Sequence, residues 1–404
     1  MKGPLSGIRV LTLETFLAAP FGTMVLGDLG AEVIKVEPTQ GEGSRLTAGA
    51  DYKGESSHYL AYNRNKKGVT LDLSIPTGRE AFTDLVRISD VVVQNMRPGV
   101  MERLGFGYED LKAINPKVIL CSYSGYGPTG PYSGWPAVES TASGISGIMS
   151  ITGEPEGRPC RPGPAVSDLA NALYGVIGII SALYERERTG TGQQVMSSLL
   201  GASVSFMSFH VSWYTCSGEE LGPLGSGYPH AVPYGALKCQ DGYIVVGPCW
   251  PRICNVIGAE HLIDDPRFKE LGDRLKNRWE LNEEIEKHLS LLTADEWLPI
   301  FHEHDIAVAP LNKVSQMVED PQVNHMDMIV SIEHALGGAI KLAGNPIMMD
   351  SIKGEHTSPP TLGQDTEGVL KELLGYSDEK IKKMREEQEA NREELEKHVR
   401  KRRR

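Results

Sequence analysis

The chain has 404 residues, 40% hydrophobic and 23% charged, with a formal net charge of −12. The length asks for one large domain with an insertion, or for two domains. The acidic balance excludes a basic nucleic-acid-binding surface and fits a soluble acidic enzyme. The N-terminal MKGPLSGIRVLTLE has no long apolar core after its lysine, so no secretory signal is expected and the location expected is cytoplasmic. Six cysteines, Cys121, Cys160, Cys216, Cys239, Cys249 and Cys254, form no C-x-x-C pair. Free thiols are expected, with no metal site.

Ile8 to Leu13 is an apolar run that reads as a buried strand. A helix follows through Gly22 to Leu29, ending at Gly30, and Glu32 to Glu37 is a second strand. Strand, helix and strand in so short a span make a βαβ unit and a parallel sheet. The pattern continues with a strand at Val69 to Leu73, a helix at Thr77 to Ile88 and a strand at Val91 to Gln94. Helices at Gly99 to Leu104 and Tyr108 to Ile114 lead to a strand at Val118 to Ser122. No G-x-G-x-x-G joins a strand to a helix and no P-loop is present, so a nicotinamide-dinucleotide reading is rejected.

Three basic clusters remain: Lys35 with Arg45; Asn63, Arg64, Asn65, Lys66 and Lys67; and Asn95, Met96 and Arg97 running on to Arg103. All three are expected near the C-terminal ends of successive strands, the edge where open α/β sheets bind ligands.

Beyond the Gly/Pro-rich loop GYGPTGPYSG comes Val166 to Gly190. Its apolar residues Leu169, Leu173, Val176, Ile177, Ile180, Leu183 and Tyr184 fall at helical spacing and predict a long buried helix. It is too broken by small and polar residues for a membrane span. Ser167 and Asp168 stand at its start as capping acceptors, Arg186 and Arg188 in its last turn, and Gly190 just past it. The dipole should keep Asp168 ionised. Such a carboxylate is either a cap or a nucleophile, and the pattern alone leaves both open.

Residues 218–227 are glycine-rich and read as a linker between a first domain, 1–217, and a small α+β domain, 228–324. That small domain shows a hairpin at Gly235 to Lys238 and Tyr243 to Val246, followed by helices. Residues 325–404 carry a second hairpin and end in charged helices. The terminal KHVRKRRR reads as a frayed, solvated tail.

Taken in order, LSGIRVLTLE, LAAPFGTMVLGDLGAEVIKVEP, NRNKKGVTLDL, VVVQNMRPGVMERLGFGYEDL, GYGPTGPY, SDLANALYGVIGIISALYERERTGTGQ, DDPRF and the later DPQV resemble the class III (CaiB/BaiF type) CoA-transferases over nearly the whole chain. The resemblance implies an α/β fold: a Rossmann-like large domain built from both chain ends, a small inserted domain, and a homodimer of interlocked chains. It implies transfer of coenzyme A from an acyl-CoA to a carboxylic acid, with no tightly bound cofactor, no nucleic acid and no membrane. Asp168 matches the nucleophile, which forms an acyl anhydride and then a CoA thioester, and Glu139 matches an acidic position beside it. Phe16, Ala18, Leu71, Asn95, Met96 and Arg103 match CoA-binding positions; Lys35 and Arg97 join them on charge alone. The family's oxyanion-binding glycine loop is matched loosely by Gly222 to Gly227. Leu17 replaces a glutamine of formyl-CoA transferase, which points away from formyl and oxalate and toward a more apolar acyl group. The α-methylacyl-CoA racemases of the same superfamily are the alternative, but their catalytic histidine aligns with Val138, and valine cannot move a proton.

Overall fold

The structure is a computed structural model that describes residues 3–352 and 354–402, with side chains described up to residue 394. The side chains of the basic tail therefore lie outside the described residues. The chain divides into two compact units. One comprises Met1–Ser146, Gly163–Ser208 and His325–Arg404, and the other Gly147–Pro162 and Phe209–Asn324. Residues 147–162 and 209–217, assigned to the large domain from sequence, thus group with the inserted unit.

The first unit is built on six parallel strands. These are β1 (Arg9–Leu13), β2 (Glu32–Glu37), β3 (Lys66–Thr70), β4 (Val91–Gln94), β5 (Ile119–Ser124) and β6 (Gln194–Ser198). Their spatial order is β3-β2-β1-β4-β5-β6, that of a Rossmann sheet. The order reverses between β1 and β4, so the crevice lies beyond the C-terminal ends of those two strands.

Alternation along each strand supplies two cores, as expected of a sheet covered on both faces. Leu11, Ile34, Val69, Val92 and Leu120 meet helix α3 (Pro76–Arg87) and the returning C-terminal helices through Phe82, Leu85, Leu370 and Met384. Val10, Val33, Val91, Val93 and Ile119 meet helices α1 (Ala18–Asp28) and α5 (Val166–Thr189) through Leu26, Val176 and Ile179. The chain end is stitched to edge strand β3: Gly68 N–H donates to the Asp365 carboxylate at 2.8 Å and Thr70 N–H to Thr366 Oγ1 at 3.0 Å.

Helix α5 differs from its sequence reading. Its buried side is the small-residue side, with Ala170, Ala172, Gly175, Val176, Ile179 and Ala182. Tyr123 Oη donates to Ala172 O at 3.2 Å, and a Cβ on Gly175 would come within 2.1 Å of that oxygen. Only glycine permits this approach. Leu173, Tyr174, Ile177, Ile180 and Tyr184 are exposed. The helix is long and apolar enough to cross a bilayer, yet half of its most apolar window packs inside this unit.

The second unit has its own core around Leu237, Ile244, Phe268, Leu281 and Phe301. Its sheet sets Gly235–Lys238 antiparallel to Tyr243–Val246, which pairs in turn with Val308–Pro310.

Candidate active site

Two loops meet at the sheet's switch point. Asn95, just past β4, accepts from Thr15 N–H at 2.9 Å and donates to Thr15 O at 2.7 Å. This pair of hydrogen bonds fastens the loop after β1 to the end of β4. Next in that loop, Phe16 has φ 61°, a left-handed conformation costly for a bulky residue. Its N–H donates to the Glu42 carboxylate at 3.4 Å. A Cβ on Gly43 would come within 2.8 Å of the Phe16 ring, so the ring lies on bare glycine backbone. The ring remains 52% exposed, offering a flat apolar surface at the crevice. Leu17 is buried, and Ala18 is buried where it opens α1.

The acidic pair forms beside α1. Helix α4 (Glu139–Ile145) presents Glu139 at its first position, and Asp168 is in the first turn of α5. Asp168 does not cap its own helix, contrary to expectation. Glu139 does so from outside, accepting from Asp168 N–H at 2.9 Å and from Ser167 N–H at 3.3 Å. Ser143 Oγ donates to Glu139 at 2.9 Å and lies 2.9 Å from Ser167 Oγ, tying α4 to α5. The helix donors are thus occupied by a second carboxylate. Burial first, and the Glu139 charge second, push the Asp168 carboxyl from 3.8 up to about 7. The expectation of a fully ionised Asp168 is corrected accordingly: the dipole is satisfied by Glu139, and Asp168 is left partly desolvated.

Sequence reasoning missed Tyr62, Ser143 and Asn171. Tyr62, on helix α2 (Ser57–Tyr62), has its phenol pushed up by burial and then by the charge of Asp168, which places it within electrostatic reach. Its ring stands edge-on to Phe21 and His58, with centroids 6.1 and 5.5 Å away. Asn171, one turn beyond Asp168, is 1% exposed. Only the i, i+3 spacing from Asp168 could have flagged Asn171; nothing local marks Tyr62.

The three basic clusters separate sharply. Lys35 is fully buried, 3.6 Å from the carboxylates of both Glu14 and Glu42, so its assignment to CoA is corrected. Arg45 grips Glu37 with two bonds of 2.8 Å, reaches Glu55 at 3.0 Å and stacks on Tyr59 at 3.7 Å. In the second cluster, Arg64 pairs with Asp28 and Lys66 Nζ with Glu14 at 2.7 Å. Strand β3 begins at Lys66 rather than Val69, so this cluster stands at the N-terminal start of its strand and not at the C-terminal end expected of it. The third cluster is different. Arg97 and Arg103 are exposed beyond β4, with no ion pair among the described residues. Met96 packs against the core, and the Leu71 side chain is buried within it, so any ligand contact of Leu71 falls to its main chain.

Comparisons with known proteins identify the family. A family model described as CoA-transferase family III matches residues 5–366. A human succinyl-CoA:glutarate CoA-transferase is 38% identical over 385 residues, covering 94% of this chain and 88% of that protein. An acetyl-CoA:oxalate CoA-transferase of Acetobacter aceti is 36% identical over 374 residues, 91% of this chain and 95% of that one. The crystal structure of a CAIB/BAIF family protein from Brucella suis superposes with a TM-score of 0.84 at 32% identity, covering 92% of this chain and all of that one.

Proposed function

This chain belongs to CoA-transferase family III, and from that premise we propose that it moves coenzyme A from an acyl-CoA to a small carboxylic acid through covalent intermediates on Asp168. The observation that carries the reading is the Asp168–Glu139 pair, in which one carboxylate holds the helix start and leaves the other raised to about 7. A more basic carboxylate is a better nucleophile, and near neutral pH a large share of it is ionised.

The Asp168 carboxylate attacks the thioester carbonyl, the C–S bond breaks, and CoA leaves as thiolate from a mixed anhydride. The thiolate then attacks the aspartyl carbonyl of that anhydride, which releases the donor acid as carboxylate and leaves an aspartyl–CoA thioester. The acceptor carboxylate expels CoA from this thioester to form the second anhydride. Attack of the thiolate on the acceptor's own carbonyl yields the new acyl-CoA and restores Asp168. Each step exchanges one acyl bond for another, so no outside energy is needed. Holding the reactants together removes much of the entropic cost.

CoA is assigned to the crevice edge: Phe16 and Met96 offer apolar surface, Asn95 fixes the loop, and Arg97 and Arg103 face the phosphates. Ala18 and Leu71 contribute main chain only. The acceptor class is read from the relatives, whose names pair CoA esters with glutarate and oxalate. A racemase is disfavoured because Val138 precedes Glu139 where an imidazole is required. The active molecule is taken to be an interlocked homodimer, supported by the exposed apolar side of α5.

Incubation with an acyl-CoA donor and no acceptor, then hydroxylamine or borohydride trapping, should modify Asp168 in the tryptic peptide ending at Arg186. Asp168→Asn should carry no label and no transfer activity. Label on Glu139 while transfer proceeds would refute the assignment.

A further inference from the structure

Phe16 combines a strained backbone with an exposed ring, and such strain persists only where the surroundings over-determine it. The surroundings come from the loop after β2. Glu42 is the extended residue before a single 3-10 turn, Gly43–Leu46, and it caps that turn: its carboxylate accepts from Ser44 N–H at 2.7 Å and from Ser44 Oγ. The same carboxylate takes the Phe16 N–H, so one side chain joins the turn to the loop after β1. Lys35 stands 3.6 Å away as a counter-ion, while the two Ser44 donors fix the orientation.

Gly43 follows directly. A Cβ there would meet Phe16 Cζ at 2.8 Å and Cε2 at 3.0 Å, closer than packed side chains tolerate. The φ of Gly43 lies outside the left-handed region, so its backbone does not call for glycine. What calls for glycine is the space that the ring occupies.

Further rings extend from Phe16. His58 stands edge-on to it with centroids 6.3 Å apart, and Tyr62, one turn along α2, stands edge-on to His58 at 5.5 Å. Tyr62 is the ring within electrostatic reach of Asp168. Thr15, just before Phe16, is tied to Asn95, which leads into Met96 and Arg97. Phe16 therefore links the residues assigned to the CoA phosphates with the surroundings of the nucleophile. A ligand that reaches from one to the other passes it with its connecting arm.

Resting on the transferase reading above, we propose that Gly43 is a positioning residue: it seats the Phe16 ring as a wall for the pantetheine arm of acyl-CoA. That arm is uncharged, and an aromatic ring holds it through contact area. A side chain at residue 43 would lift the wall into the space of the arm.

The test uses Gly43→Ala, Phe16→Ala and the double variant of the full-length protein, with succinyl-CoA as donor and glutarate as acceptor. Gly43 is exposed, and its added methyl meets only the end of a side chain, so the fold should persist. Gly43→Ala should raise the KM for succinyl-CoA about 3- to 10-fold, with kcat less affected. In the Phe16→Ala background the same methyl should change nothing. Calorimetric titration locates the effect without turnover: Gly43→Ala should weaken CoA by the same factor and leave adenosine 3′,5′-bisphosphate, which lacks the arm, unchanged. This binding pattern with transfer to no acid would overturn the transferase reading and keep the seat. Unchanged CoA affinity in Gly43→Ala, additive losses in the double variant, or an equal loss for the bisphosphate would overturn the seat.

Discussion

An aspartate in the first turn of a helix ordinarily gains from the free N–H groups there. At Asp168 those groups are already given to Glu139, so burial, and after it the Glu139 charge, raises the carboxyl unopposed. The consequence is a pH dependence with a defined direction. The nucleophile is the ionised form, so transfer should rise with pH through about 7, and Glu139→Gln should move that midpoint down. Stability runs the other way. Because the folded-state value lies above 3.8, the unfolded chain releases this proton first, and stability falls as pH climbs from about 4 to about 7, then levels off. Asp168→Asn removes the effect. Its thermal stability should match wild type near pH 4 and exceed it at pH 8 by on the order of 2–4 kcal/mol, less for residual solvation. Thermal melts across that range decide it; a constant difference at every pH would show an unperturbed carboxyl. The Asp168 position was legible from its place at the head of a periodic helix. Its protonation was not, because that depends on a carboxylate from another helix.

Strand placement decides what a basic side chain can do. The charge clusters around Lys35, Lys66 and Arg97 look alike in sequence, yet β2 and β3 carry the first two inward onto Glu14, and the turn after β4 carries the third out to solvent. Lys35→Met should therefore cost about 3–5 kcal/mol in denaturant unfolding, because Glu14 and Glu42 lose a buried partner. CoA affinity of the folded fraction should hold. Arg103→Ala should do the opposite: stability unchanged within about 0.5 kcal/mol, with the KM for acyl-CoA raised about 10- to 100-fold and turnover less affected. Equal stability losses in the two variants would erase the distinction. Periodicity located the strands of the large sheet and the long helices, since these imprint their repeat locally, but it missed short helices such as α2 and α4, which carry Tyr62 and Glu139. It misplaced the start of β3, where lysines occupy strand positions because their ammonium groups find partners in the fold.

At the scale of the molecule, the exposed apolar side of α5 is unlike the surface of a finished monomer. Ile177 is 59% exposed and Tyr184 69%, on a helix whose other side is the core of the unit. If this side is the dimer contact, Ile177→Arg should sediment as a monomer while its circular dichroism stays that of wild type. A variant that remains dimeric would place the contact elsewhere. By itself the sequence determined the parallel α/β plan, the long helix with Asp168 in its first turn and the small α+β segment, because each is written in local periodicity and composition; the return of the chain end followed only from the family resemblance. Only the tertiary structure decided which side of α5 is buried, that Glu139 rather than Asp168 caps it, and which cations are spent on internal carboxylates. Those outcomes depend on partners far apart in the chain, and the balance between desolvation and pairing is set only when folding brings them together.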